Sequence, residues 1–118
     1  MKNTSKILFL AFCLISGPLF AQNSQDDILG IWDAGERKVE IHKVDGRYIG
    51  NPIDTTGVRR DEVEVLNLEF SKDKWKGKLY AAKKDKLMSV ECKIREEELH
   101  LRVKSGLLKK TVKWARVE

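Results

Sequence analysis

The sequence predicts an all-β domain: an antiparallel up-and-down barrel of about eight strands. Three observations predict it. Apolar and polar residues alternate along most of the chain, the period of a half-buried strand, and no stretch sustains the 3.6-residue period of an amphipathic helix. Short turn signals recur between the alternating runs: Asp45-Gly46, Ser71-Lys72-Asp73, Lys83-Lys84-Asp85, Glu96-Glu97 and Ser105-Gly106. A meander of this many strands exposes two unpaired edges unless it closes on itself, and closure removes both. A β-sandwich is the alternative architecture.

Each element follows from its pattern. Residues 30–33 read as a short first strand. Residues 37–43 alternate, with Val39 and Ile41 on one face and Lys38, Glu40 and His42 on the other. Asp45-Gly46 turns the chain, because glycine accepts positive φ, and residues 47–53 return as the partner strand. Residues 54–61 form the longest irregular connection. In residues 62–70, Val63 and Val65 share one parity, whereas Leu66, Leu68 and Phe70 take the other, so a β-bulge is expected near Val65-Leu66. Trp75, Gly77 and Leu79 then alternate with lysines. Met88, Val90, Cys92 and Ile94 form the next apolar set, followed by Leu99, Leu101 and Val103, and residues 108–117 close the domain.

The start of the chain stands apart. Lys2 and Lys6 precede an apolar stretch over residues 7–20, then Ala21 and the polar run 22–27. A basic start, a short apolar run and a small residue before polar sequence form the signal-peptide pattern. Residues 1–21 are therefore expected to be a leader cleaved after Ala21, which implies a periplasmic or extracellular protein. Residues 22–28 are expected to be a flexible N-terminus, and residues 29–118 the barrel. An uncleaved anchor is the rival reading, although a membrane span needs about 20 apolar residues. Cys13 follows the bulky Phe12 in mid-stretch, which disfavours lipidation. Cleavage leaves Cys92 as the one cysteine, so no internal disulfide forms and the fold stands on its core. It also removes two lysines, lowering the net charge from +5 to +3.

Two groups of segments carry a resemblance. Gly30-Ile31-Trp32, Lys38-Val39-Glu40-Ile41 and the hairpin Asp45-Gly46-Arg47-Tyr48-Ile49-Gly50 lie near the start of the domain. Trp75-Lys76-Gly77-Lys78-Leu79-Tyr80 and the ending Trp114-Ala115-Arg116-Val117 follow later. Together they resemble the bacterial secreted family catalogued as domain of unknown function 2147. The resemblance spans most of the chain after the leader and implies a lipocalin-like barrel without implying an activity. The chain departs from the family after Tyr80, where Ala81-Ala82-Lys83-Lys84-Asp85 replaces an Asp-Pro and Asn-Gly turn. Lipocalin-like barrels also place a Gly-x-Trp on the first strand and an arginine on the last. The resemblance therefore implies that Trp32 and Arg116 close the barrel through a cation–π contact.

No residue set points to catalysis. His42 and His100 fall on polar faces without convergent partners, and no metal or cofactor is implied. Cys92 sits among apolar neighbours, where a thiol is inert. The carboxylate pairs Asp26-Asp27, Glu62/Glu64 and Glu96-Glu97-Glu98 lie in turns or on outer faces rather than across a cleft. The expected protein is therefore not an enzyme. Lys72, Lys74, Lys76 and Lys78, with Lys83, Lys84 and Lys86 close by, could offer an anionic envelope surface one lysine-rich face. Nucleic acid is not expected, because the compartment is wrong and no exposed aromatics interleave the lysines. Three tryptophans would fill much of a short barrel. If a cavity forms instead, Tyr48, Trp75, Tyr80 and Trp114 are the candidates to hold a small apolar or amphipathic ligand.

Overall fold

Alternation of side chains builds every strand of the barrel. The computed structural model describes residues 24–81 and 84–117. The expected leader with Cys13, and Ala82 and Lys83 of the fifth connection, lie outside the described residues. Eight strands follow in chain order: β1 (Gly30–Asp33), β2 (Lys38–Val44), β3 (Arg47–Ile53), β4 (Leu66–Ser71), β5 (Lys74–Ala81), β6 (Lys86–Arg95), β7 (Glu98–Ser105) and β8 (Leu108–Arg116). They pair antiparallel with their sequence neighbours and close as a barrel. The sandwich alternative is excluded by the β1–β8 seam, where Trp32 pairs with Arg116 and Asp33 with Ala115.

Register puts the expected apolar set inside. Trp75 pairs with Cys92, Cys92 with Leu101 and Leu101 with Val112, one layer across four strands. The lysines of β5 alternate with this set on the outer face. Two hairpins turn tightly without glycine: Lys72-Asp73 and Glu96-Glu97 all take positive φ, the pattern whose twist matches the flanking strands. Gly77 is required for a different reason. A Cβ there would lie 1.9 Å from the Asn67 carbonyl oxygen, so β4 and β5 approach through the missing side chain.

The break in phase at Val65-Leu66 is present, and both residues are buried. It falls at the entry to β4 rather than inside a strand, because β4 begins at Leu66. Val65 N–H donates to the Gly50 carbonyl while Leu66 also pairs with Gly50, so two residues oppose one. The connection before it runs back beside β3. Arg59 bridges to Ile53, and Arg60 N–H donates to the Pro52 carbonyl. Its start is wound on Asp54, which accepts from the Thr56 and Val58 amides at 2.9 and 3.0 Å. Those bonds, with the Thr56 hydroxyl first among them, hold the Asp54 carboxyl below its ordinary value.

The expectation of a flexible segment over residues 22–28 is corrected where the chain is described. Gln25–Ile28 forms one 3-10 turn, entered by a bond from Ser24 N–H to Asp27 Oδ2 at 2.8 Å. Ile28 is fully buried in the barrel core. Sequence composition suggested a tail because all six residues in 22–27 are polar; the barrel supplies partners for Gln25, Asp26 and Asp27.

Candidate functional site

The two ends of the barrel differ. Large side chains gather at one end: Trp32, Tyr48 and Trp75 are buried there, and Phe70 meets Trp75 with ring centroids 5.1 Å apart. The 3-10 turn caps this end, and its polar backbone is satisfied by barrel side chains. Trp75 Nε1 donates to the Gln25 carbonyl at 3.1 Å, and Trp32 Nε1 to the Ile28 carbonyl at 2.9 Å. Arg116 supplies two more bonds, from Nη2 to the Asp27 carbonyl at 2.7 Å and from Nη1 to the Leu29 carbonyl at 3.0 Å. Its guanidinium also stacks on Trp32, 4.1 Å from the ring centroid. The pairing of Trp32 with Arg116 is thus a closing contact, and it holds the plug as well as the seam.

A charged cluster completes the plug. Tyr48 donates to Asp26 Oδ1 at 2.8 Å, and Lys43 Nζ lies 3.2 Å from the same oxygen. The bond from Tyr48, then that from Lys43, lowers the Asp26 pKa. Burial, then the bond to Asp26, raises the Tyr48 pKa.

The opposite end is open. Aliphatic side chains with Trp114 and Tyr80 surround a half-open cavity of about 440 Å³ among the described residues. Its apolar wall includes Val39, Leu79, Met88, Val103, Val112 and Trp114. Arg37, Lys84, Lys86 and Lys110 stand at the rim. Lys86 pairs with Ala81 and Lys110 with Val103, on the inward parity of their strands. None of these four cations forms an ion pair with a described carboxylate. The volume falls in the range of small-molecule pockets, roughly 300–1,000 Å³.

The four residues expected to meet a ligand are therefore divided. Trp114 and Tyr80 border the cavity. Tyr48 and Trp75 belong to the plug, at the other end. Tyr80 lies on the outward parity, paired with Leu87, and its hydroxyl donates to Asp85 at 2.7 Å, a bond that raises its pKa. Arg37 and Lys110 were missed, and Lys84 and Lys86 were grouped with the outer lysine face rather than with the cavity. The alternation could have flagged Lys110, since Val112 and Trp114 share its parity; its charge instead reads as surface.

The other sequence candidates take ordinary structural roles. Lys72 lies in a turn. Lys74 pairs with Glu91 at 3.4 Å, and Lys78 bonds Ser89. Burial raises the Glu91 carboxyl, but Lys74, Lys104 and Lys76 together hold it below its ordinary value. A shallow groove of about 250 Å³ on the outer face of β5–β8 takes in Lys74, Glu91 and His100. His100 Nε2 lies 3.5 Å from Glu98. His42 is not the solvated surface residue its parity suggests. It is half-buried and bonded to Asn51, whose Nδ2 donates to the Val63 carbonyl at 2.7 Å. That bond makes Asn51 Oδ1 the acceptor and His42 Nε2 the donor. Asn51 is buried on an outward position because residues 54–65 cover it. Cys92 is buried, and desolvation pushes its thiol pKa far up. Among the described residues no group of three or more His, Cys, Asp or Glu could hold a metal ion, and no helix is long and apolar enough to cross a membrane.

Comparisons with protein-family models, curated proteins and solved structures return no match. The class rests on the geometry alone: a closed eight-stranded antiparallel barrel, plugged at one end and open at the other.

Proposed function

We propose that this protein is a non-enzymatic carrier of the bacterial envelope that holds a small amphipathic molecule in the open end of its barrel. One observation carries the reading: the half-open apolar cavity of about 440 Å³ sits under Arg37, Lys84, Lys86 and Lys110, which outnumber the one described carboxylate in its lining, Glu36. The apolar wall suits a hydrocarbon tail, and the rim suits an anionic head such as a carboxylate. Envelope location rests on the leader-like residues 1–21, and the likeness to the family of unknown function 2147 agrees with a secreted, lipocalin-like barrel. The closed end has no part in the reading, because its polar groups already satisfy one another.

A fatty acid bearing an environment-sensitive fluorophore tests it. The protein should enhance probe fluorescence saturably. Val112→Trp, which fills the cavity, should abolish the enhancement, whereas Tyr48→Phe at the plugged end should keep it. Equal enhancement by wild type and Val112→Trp, with both folded by circular dichroism, refutes the reading.

A further inference from the structure

We propose that the open end of the barrel docks on the surface of an anionic phospholipid bilayer, an inference that rests on the carrier reading and names where its ligand is exchanged. The three most exposed large apolar side chains among the described residues are Leu107, Leu108 and Leu87, at 102 %, 74 % and 65 %. All three stand at this end. Leu107 occupies the β7–β8 turn and Leu108 the start of β8, at the cavity rim. Leu87 follows the rim residue Lys86 and points outward beside Tyr80. Apolar tips held in water by tight turns are costly unless a partner covers them.

Charge identifies the partner. Lys104 and Lys109 face each other directly across β7 and β8, just below Leu107 and Leu108. Like charges opposed on a sheet repel, so the pair is destabilising by itself and favours an anionic surface. With Arg37, Lys84, Lys86 and Lys110 they surround the entrance with positive charge. The described acids at this end are engaged: Asp85 accepts the bond from Tyr80, Glu36 has a partner, Glu91 is held by Lys74 with Lys104 near it, and Asp54, Asp61 and Glu62 pair with Arg59 and Arg60. A bilayer meets both features at once. Its anionic headgroups match the lysines, and its acyl region accepts the leucine tips. Docking this way opens the cavity directly onto the hydrocarbon. A flat protein surface would match the charge without accommodating leucines at separate turns.

Co-sedimentation with vesicles tests the proposal. The protein should bind vesicles containing phosphatidylglycerol and leave vesicles of pure phosphatidylcholine. About 0.5 M salt should release it, because exposed charges are screened. Leu87→Ser/Leu107→Ser should weaken vesicle binding at least about tenfold. Lys104→Glu/Lys109→Glu should abolish the preference for anionic lipid. None of these four residues lines the cavity wall, so both variants should still enhance the fatty-acid probe in solution. Enhancement of the probe without vesicle binding overturns the docking and leaves the carrier reading standing. Vesicle binding without probe enhancement supports the docking and refutes the carrier reading. Equal binding by wild type and both variants overturns the assigned surface.

Discussion

Replacing Arg116 by methionine should unlock the plug. Methionine keeps much of the aliphatic stem and removes every polar contact of the guanidinium. Two of those contacts are charge-assisted bonds, to the Asp27 and Leu29 carbonyls at 2.7 and 3.0 Å. Bonds to charged groups contribute about 1.5–3 kcal/mol each when the partner is left unsatisfied. The Arg116 side chain is 24 % exposed, so water can reach the abandoned carbonyls and roughly half of that is recovered. The stack on Trp32 adds about 0.5–1 kcal/mol. The ion pair with Glu97 adds nothing measurable, because Glu97 is largely exposed. The expected loss is about 2–4 kcal/mol, against about 5–10 kcal/mol for a domain of this size. Urea denaturation followed by tryptophan fluorescence measures it, and hydrogen exchange at Ile28 and Leu29 reports the plug. Arg116→Lys retains the charge but not the fork, so it should fall between the two. A loss below about 0.5 kcal/mol, or unchanged exchange at Ile28 and Leu29, would show that the turn is held by the burial of Ile28 alone.

Three further outcomes follow from single positions. Gly77→Ala places a methyl 1.9 Å from the Asn67 carbonyl oxygen, so the β4–β5 ladder must separate; about 3 kcal/mol or more should be lost, read as a fall in Tm, and an unchanged Tm would refute the close approach. Cys92 should resist a thiol reagent at pH 8 in the folded protein and react in denaturant, read by peptide mapping; ready labelling in the native state would contradict its burial. Asp26 has a lowered pKa in the folded state, so its contribution to holding the plug is present above the ordinary value of 3.8 and is lost as pH falls through the lower folded value. Two-dimensional NMR of the Trp75 indole N–H should show this acid transition, and Asp26→Asn, which retains the acceptor oxygen, should remove it.

Most strand positions were legible because the side-chain period of a strand is a local property. Val39/Ile41, Met88/Val90/Cys92 and Leu99/Leu101/Val103 declare an inner face without any knowledge of partners. The turns were legible for the same reason, down to the hairpin at Asp45-Gly46. The phase change at Val65-Leu66 was also visible, since two apolar residues in succession cannot both face inward on a regular strand.

The site was less legible. His42 and Asn51 alternate as outward residues, and only the return of residues 54–65 over them makes that outer position buried. Tyr48 and Trp75 were grouped with Tyr80 and Trp114 as ligand candidates because aromaticity is visible in sequence and height along the barrel is not. Register separates them: Tyr80 and Trp114 border the mouth, while Tyr48 and Trp75 receive the 3-10 turn.

Sequence alone therefore determined the antiparallel β class, the inward and outward sets of each strand, and Trp32 with Arg116 as the closing pair through the lipocalin-like resemblance. Tertiary structure decided which end is closed. Four side chains from β1, β3, β5 and β8 converge on residues 25–29, more than 80 residues from Arg116, a coincidence of barrel stagger that no local pattern encodes. The far end has no such plug among the described residues and keeps a cavity. A cavity is the space between strands distant in sequence, so its existence and its cationic rim became readable only once the barrel had closed.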